Sequence, residues 1–240
     1  MSIQTRLVDY DDGQIRYEGK LAWDDTRSGQ RPGVLVAHTI RGRTAFEEGK
    51  AEELAKLGYA ALALDVYGKS ELRTDEDNMR RHMMALKADR EELERRLSLS
   101  LQTLKQQPEV DASRTAAIGF CFGGLCALDL ARGGEVLQGA VSFHGLLDAP
   151  GGTVASSIDT RILVLHGWDD PLATPDLVLA WADEMTKAGA DWQLHAYGAT
   201  VHAFTNPAAN DKARGTVYDA SADRRSWLAM TNFLDELFSG

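Results

Sequence analysis

Short apolar runs alternate with longer helical patterns along most of the 240 residues, and this alternation constrains the fold more than any other feature. The apolar runs end in Gly, Asp or His, which suits buried parallel strands. We predict core strands at 31–38, 59–65, 115–119, 139–144, 161–166 and 191–197, and an antiparallel edge strand within 14–23. This order predicts an α/β chain with a mostly parallel central sheet and helices on both faces.

Helical patterns fill the intervals between these strands. We predict helices at 45–57, 125–131, 175–188 and 221–238, and glycines follow the first three of them. The segment 74–107 would span about 50 Å as one straight helix. That length exceeds the width of such a domain, so we predict two helices with a break within 85–89.

The first of these two pieces, 74–89, carries Met79, Met83 and Met84. Two interpretations remain open for it. The methionines fill gaps in the core, as methionine often does, or the piece forms a lid over a site. In both cases the sequence contains no linker and no internal repeat, so we predict a single domain over residues 1–240.

Composition excludes several classes of protein. Hydrophobic residues make up 44% of the chain and charged residues 26%, which is typical of a globular domain and not of a disordered chain. The formal net charge of -10 disfavours binding to nucleic acid, which usually requires a basic face. We therefore expect no nucleic-acid partner, while the oligomeric state is left open.

The N-terminus and the cysteines indicate the cellular compartment. Asp9, Asp11 and Asp12 stand where a signal peptide would be apolar, and no run reaches the roughly 20 apolar residues of a membrane helix. Two cysteines, Cys121 and Cys126, cannot crosslink a chain of this length. These features predict a cytoplasmic protein without a membrane partner.

The sequence GFCFGG at 119–124 is the sharpest local motif. It follows an apolar strand and begins a helix, which is the nucleophile-elbow pattern with Cys121 in place of serine. Flanking glycines allow the tight turn, and a helix N-terminus favours the thiolate. By itself the motif also fits a buried structural cysteine, and Cys126 is interpreted as core.

A nucleophilic cysteine needs a base and a group that orients the base, in the chain order nucleophile, acid, histidine. Asp170 follows the strand at 161–166, with Asp169 as its competitor, and His202 lies in the loop after the last strand. We therefore predict a triad of Cys121, Asp170 and His202.

Two backbone amides are predicted to bind the oxyanion that such chemistry produces. One is the N–H of Phe122, directly after the nucleophile. The other is expected in the loop after the first core strand, where we choose Ile40. An alternative is that Gly42 in this loop only makes a turn.

These motifs resemble those of the dienelactone hydrolase family of α/β-hydrolases. The resemblance is carried by GFCFGG at 119–124, HGWDDP at 166–171 and VHAF at 201–204, with further similarity at DVYG (65–68) and ADRRSWLAM (222–230). It implies the α/β-hydrolase fold and a carboxymethylenebutenolidase-type hydrolase of an ester or lactone. It also implies the same triad and the same oxyanion donors.

The chain departs from this family at three places expected to affect substrate binding. The family's enzyme has a glutamate that contacts the cysteine where this chain has Thr39, and arginines where it has Lys69 and Asn206. We therefore predict Thr39 and Lys69 as substrate-binding residues, with a weaker hold on a dienelactone carboxylate than a bidentate arginine provides. Alternatively, Lys69 and Arg41 are solvated surface cations.

The predicted mechanism forms a thioester on Cys121 and requires no metal ion and no organic cofactor. The substrate is expected to be a small ester or lactone. Two alternatives remain open: an esterase or thioesterase for other acyl groups, and a ligand-binding protein with low turnover on the same fold.

Overall fold

The computed structural model describes residues 1–71, 75–151 and 157–239. Thr74, the first residue of the predicted lid segment, lies outside the described residues. The chain divides into two compact units, Met1–Ala117 and Ile118–Gly240. The single domain over residues 1–240 stays a prediction.

The strands are β1 (Ile3–Asp11), β2 (Arg16–Asp24), β3 (Arg31–Ala37), β4 (Ala60–Ala63), β5 (Val110–Phe120), β6 (Gly139–Phe143), β7 (Arg161–Gly167), β8 (Trp192–Tyr197), β9 (Asn210–Asp211) and β10 (Thr216–Val217). The helices are α1 (Ala45–Leu57), α2 (Glu76–Ala88), α3 (Arg90–Lys105), α4 (Phe122–Arg132), α5 (Pro175–Lys187) and α6 (Ala220–Phe238). An eight-stranded, mostly parallel sheet with helices confirms the predicted α/β class.

The first unit contains the strand order β1-β2-β4-β3. β1 and β2 form an antiparallel hairpin, β2 pairs antiparallel with β4, and β4 pairs parallel with β3. The strand β1 was not predicted. Its residues alternate between half-buried and exposed positions and only Tyr10 is buried, so the sequence carries only a weak apolar pattern there.

The second unit contains β6, β7 and β8 in parallel register, with α4 and α6 packed on β6. β5, which crosses the boundary of the two units in sequence, begins five residues before the predicted strand. Its first residues carry Asp111, Ser113 and Arg114, which are linked by hydrogen bonds of their own side chains. Because these first residues are polar, the apolar pattern predicts the strand only from residue 115 onward.

The long helical segment breaks at Asp89, within the predicted interval. Asp89 ends α2 and caps α3, because its side chain accepts a hydrogen bond from Glu92 N at 3.0 Å. None of the methionines of α2 is buried: Met84 is 51% exposed, and Met79 and Met83 are half-buried. The core-filling interpretation of these methionines is therefore wrong.

Within the described part of the chain, no helix has both the length and the apolar character that crossing a membrane requires.

Candidate active site

The turn after β5 places Cys121 at the start of α4. Its backbone has φ 57° and ψ -116°, a region that non-glycine residues rarely adopt. Cys121 N donates to Phe143 O at the end of β6 at 3.0 Å, which ties the turn to the neighbouring strand. The side chain is half-buried. Strain of this kind is common at functional sites, where the surrounding structure enforces it.

Two glycines make this turn sterically possible. A Cβ atom on Gly119 would lie 1.9 Å from the carbonyl oxygen of Gly123. A Cβ atom on Gly124 would lie 2.6 Å from the Cα atom of Gly145 and 2.5 Å from Ser142 Oγ. The motif therefore contains glycine because a side chain would collide with backbone.

The structure brings His202 and Asp170 into direct contact. The Nδ1 atom of His202 lies 2.7 Å from Asp170 Oδ2, and both side chains are buried. Asp170 Oδ1 accepts a second hydrogen bond from Leu172 N at 2.8 Å. The competitor Asp169 is exposed, so of the two predicted aspartates Asp170 is the one paired with His202.

The other ring nitrogen of His202, Nε2, has no nitrogen or oxygen partner among the described residues. The Cys121 side chain is close enough to change the pKa of this ring. Burial alone lowers the pKa of His202. The negative charge of Cys121, the hydrogen bonds with Asp170 and Cys121 and the charge of Asp170 outweigh burial and raise this pKa to about 10. With a pKa of about 10, the His202 ring holds its proton at neutral pH beside the Asp170 carboxylate.

Two further histidines surround this pair. The ring centroids of His144 and His202 are 5.1 Å apart in an edge-to-face arrangement. Burial, followed by the charge of His202, lowers the pKa of His144 well below its usual value. Burial also lowers the pKa of His166, against the opposing charge of Asp170. These two rings are therefore neutral beside a charged one.

The loop after β3 carries Thr39 and Ile40 in the first unit. Its N–H groups donate inward: Thr39 N to Glu47 Oε1 at 3.1 Å, Gly42 N to Thr39 O at 3.2 Å, and Thr44 N to Glu47 Oε2 at 2.9 Å. By contrast, the Ile40 N–H donates to no group of the described residues. The loop thus leaves the amides of Ile40 and Arg43 without a hydrogen bond to the described residues.

Glu47, which was not predicted from the sequence, holds the two ends of this loop together by accepting hydrogen bonds from Thr39 N and Thr44 N. Its side chain is completely buried, and Oε2 also accepts the Thr44 hydroxyl at 2.7 Å. Tyr67 donates its hydroxyl to Ile40 O at 3.2 Å. Thr44-x-x-Glu47 is a capping box at the start of α1, and this signal could have identified Glu47 from the sequence alone.

Lys69 lies at the surface of the first unit. Its Nζ atom is 2.6 Å from Glu18 Oε2 and 3.0 Å from Asp9 Oδ1, and both contacts raise its pKa. It lines an open depression of about 500 Å³ together with Gln14, Ile15, Arg16, Ser70 and Glu71. These ion pairs agree with the alternative interpretation of Lys69 as a surface cation, and its role in substrate binding stays a prediction.

Cys126 is buried within α4, as predicted, and neither cysteine forms a disulfide. The described ranges contain no group of three or more His, Cys, Asp or Glu side chains arranged to hold a metal ion.

Comparison with known proteins adds an independent line of evidence. The model of the dienelactone hydrolase family matches residues 19–238. The solved structure called m3DLH is 40% identical in sequence, with 99% of this chain and 100% of that chain covered and a TM-score of 0.95. These matches and the mostly parallel sheet identify the fold as the predicted α/β-hydrolase fold.

Two more relatives have names that describe an activity. A solved structure from metagenomic libraries, described as a dienelactone hydrolase-like promiscuous phosphotriesterase called P91, is 41% identical over 99% of both chains, with a TM-score of 0.92. A Bradyrhizobium protein named "Probable 2-oxo-3-(5-oxofuran-2-ylidene)propanoate lactonase" is 27% identical over 216 residues, which cover 85% of this chain and 86% of that protein.

Proposed function

Because this chain belongs to the dienelactone hydrolase family and is a hydrolase of the ester- and lactone-cleaving kind, we propose that it acts through a thioester on Cys121. The observation that supports this most is the state of His202. The Nδ1 atom of His202 lies 2.7 Å from Asp170 Oδ2, and the charge of Cys121 raises the pKa of the ring. A nucleophile, a base and an orienting carboxylate in this order form the arrangement that acyl transfer requires.

In the first half of the reaction the Cys121 thiolate attacks the carbonyl carbon of the substrate. A C–S bond forms and the carbonyl electron pair moves to oxygen. The N–H groups of Phe122 and Ile40 are the proposed donors to this oxyanion. The intermediate then collapses, the C–O bond to the leaving group breaks, and the leaving alkoxide takes the proton of His202.

In the second half neutral His202 removes a proton from water, and the resulting hydroxide attacks the thioester carbonyl. The C–S bond breaks, the acid is released, and Cys121 returns as a thiolate beside protonated His202. Asp170 keeps the Nδ1 position of His202 fixed through both halves. In this mechanism the chain's own residues supply every proton transfer.

The amide of Ile40 supports the choice of the second donor. Its N–H is one of two amides in this loop, with that of Arg43, that the hydrogen bonds of residues 39–44 leave unused, so binding an oxyanion there would disrupt no contact of the described residues. Thr39 follows the first core strand with a hydroxyl that accepts from Arg41 N at 3.3 Å. We include Thr39 in the proposal as a substrate-binding residue. The cytoplasm is the proposed compartment, since neither cysteine forms a disulfide.

The test is hydrolysis of p-nitrophenyl acetate by wild type, Cys121→Ala and Cys126→Ala. Cys126 is the matched control, because it is the other cysteine of the chain and is buried in α4. We expect Cys121→Ala to lose turnover and Cys126→Ala to keep it. Mass spectrometry of the wild type, quenched during turnover, should show an acetyl group on Cys121. Equal turnover by wild type and Cys121→Ala would contradict the proposal that Cys121 is the nucleophile.

The acyl group is distinguished by a panel of matched substrates: a lactone, an open-chain ester and a thioester of the same acid. Preference for the lactone agrees with the dienelactone hydrolase-like assignment. Preference for the thioester would instead favour the alternative of a thioesterase. A single burst of product without further turnover on every substrate would favour a ligand-binding protein.

A second candidate activity is hydrolysis of phosphotriesters, and the 41% identity to the promiscuous phosphotriesterase favours it. The same thiolate would attack phosphorus and expel an aryloxide, which leaves a phosphorylated Cys121 for water to release. Paraoxon is a suitable probe because it releases p-nitrophenol. Continued release that disappears in Cys121→Ala supports this activity, and one equivalent of release followed by inactivation contradicts it.

A further inference from the structure

His144 is a buried histidine to which the proposed mechanism gives no part, yet it lies directly against the proposed base. It is 1% exposed, and its ring packs edge-to-face with the ring of His202 at a centroid distance of 5.1 Å. Its Nε2 atom lies 2.8 Å from the hydroxyl oxygen of Thr205, three residues after His202. His144 therefore contacts both the ring of the base and the loop that carries it.

The backbone around His144 connects to the other two parts of the site. Phe143 O accepts the hydrogen bond from Cys121 N at 3.0 Å, and His144 N donates to Leu165 O at 2.8 Å. Leu165 belongs to β7, the strand that leads to Asp170. One short segment thus connects the turn of the nucleophile, the strand of the carboxylate and the loop of the histidine.

This segment is also strained. His144 has φ 37°, in the left-handed region that favours glycine. A non-glycine residue in such a conformation costs on the order of 1–3 kcal/mol, and it persists only where the surrounding contacts enforce it. A buried polar side chain on a strained backbone stabilises a core less than an apolar side chain would, which argues for a role of His144 beyond packing.

The electrostatics around His202 fit this arrangement. The titratable groups around it are Cys121, Asp170, His144 and His166. Burial and the His202 charge keep His144 neutral. A neutral ring restrains the neighbouring imidazolium without competing with it for a proton.

We propose that His144 is a positioning residue, whose ring and hydrogen bond to Thr205 hold His202 with Nδ1 on Asp170 and its other nitrogen towards Cys121. This inference rests on the proposed function, because it assigns His202 the part of the base. It predicts that loosening the His144–Thr205 contact misaligns His202 while the fold stays intact.

The experiment compares Thr205→Val with Thr160→Val. Both threonines are buried in the second unit, and the Thr160 hydroxyl donates to Leu137 O at 3.2 Å rather than to a residue of the site. Each change removes one buried hydroxyl at nearly constant volume, so both variants should lose similar stability. We expect kcat for p-nitrophenyl acetate to fall about tenfold in Thr205→Val alone, with KM unchanged, because small misplacements of catalytic groups are costly.

A second readout needs no substrate. The rate of alkylation of Cys121 by iodoacetamide, measured against pH, reports how well His202 stabilises the thiolate. Thr205→Val should raise the midpoint of this profile by about half a pH unit or more, since a misaligned imidazolium stabilises the thiolate less. His144→Gln, which can keep the hydrogen bond but loses the ring, should give an intermediate shift. Thr160→Val should leave the midpoint unchanged.

The two proposals fail in different ways. Equal hydrolysis by wild type and Cys121→Ala would remove the proposed function. A Cys121-dependent wild type in which Thr205→Val and Thr160→Val have the same kcat and the same alkylation midpoint would overturn the role of His144. A loss of stability in both threonine variants without these shifts means that His144 only fills the core.

Discussion

Two turns of the molecule follow parallel strands and carry the proposed chemistry, and they are built by opposite means. The turn after β5 is held by backbone: Cys121 is strained, and α4 begins there without a side-chain cap. The loop after β3 is held by side chains, since Glu47 accepts from Thr39 N and Thr44 N and Tyr67 binds Ile40 O. A turn held by backbone tolerates no added atom, whereas a loop held by side chains weakens gradually as each hydrogen bond is removed.

The largest expected effect comes from Gly119→Ala. Its Cβ atom would lie 1.9 Å from Gly123 O, and this neighbour is backbone, which cannot move aside without displacing α4. We expect a loss of about 3 kcal/mol or more in the free energy of unfolding and no measurable esterase activity. Urea unfolding followed by circular dichroism and the p-nitrophenyl acetate assay measure both quantities.

Gly49→Ala is the matched control for this change. Gly49 lies within α1, and a Cβ atom there would meet nothing within 4 Å. Alanine in an open helical position should leave activity unchanged and stabilise the chain by up to about 1 kcal/mol. A Gly119→Ala variant as stable as Gly49→Ala would show that the turn is less rigid than its geometry indicates.

The second-largest effect is expected for Asp170→Asn. Asp169→Asn is its control, because Asp169 is the adjacent, exposed aspartate. Loss of the Asp170 charge and hydrogen bond should lower the pKa of His202 from about 10 and reduce kcat by about a thousandfold. The alkaline limb of the pH–rate profile should move to lower pH. Asp169→Asn should match the wild type, and an unchanged alkaline limb in Asp170→Asn would contradict this origin of the His202 pKa.

The sign of the accompanying stability change follows from the same pKa. Folding raises the pKa of His202 from 6.5 to about 10, so the stabilisation from the protonated ring is fully present below pH 6.5 and disappears as the pH rises through about 10. Wild type should therefore lose stability relative to Asp170→Asn between neutral pH and pH 10. Thermal melting curves at several pH values measure this difference.

Glu47→Gln has an intermediate effect and tests the loop directly. Gln keeps one acceptor oxygen but replaces the other with an amide donor, which cannot accept from Thr44 N and the Thr44 hydroxyl. We expect kcat to fall about tenfold with KM unchanged, because a shifted Ile40 amide weakens oxyanion binding, which acts in the transition state. Alkylation of Cys121 should keep its pH profile, and a shifted profile would show that Glu47 acts on the thiol instead.

The smallest effect is expected for Tyr67→Phe. The change removes one hydrogen bond, from the hydroxyl to Ile40 O at 3.2 Å, and leaves the ring in its tilted contact with the His38 ring at a centroid distance of 4.6 Å. A single neutral hydrogen bond contributes about 0.5–1.5 kcal/mol, so kcat should fall only about threefold. A loss as large as that of Glu47→Gln would mean that Tyr67, and not Glu47, sets the position of the loop.

The difference between the two turns also explains how well each could be predicted. The turn after β5 could be predicted from a short run of consecutive residues, because a Cβ atom on Gly119 would collide with the nearby backbone of Gly123. The strand boundaries were less predictable. β1 and the start of β5 carry polar residues, which form strands because they pair with neighbouring strands. The hydrophobic periodicity of the sequence contains no information about such pairing.

The sequence alone determined the α/β order of elements and the break near Asp89, because both depend on local pattern. It also predicted Cys121, Asp170 and His202 as candidates from their order along the chain, with Asp169 left open beside Asp170. Tertiary structure decided which aspartate pairs with His202, since Asp169 and Asp170 are adjacent and only burial separates them. It also decided the placement of His144 against His202 and of Glu47 beneath its loop. Such contacts join residues that are distant in sequence or hidden in the core, and only the folded chain brings them within hydrogen-bonding range.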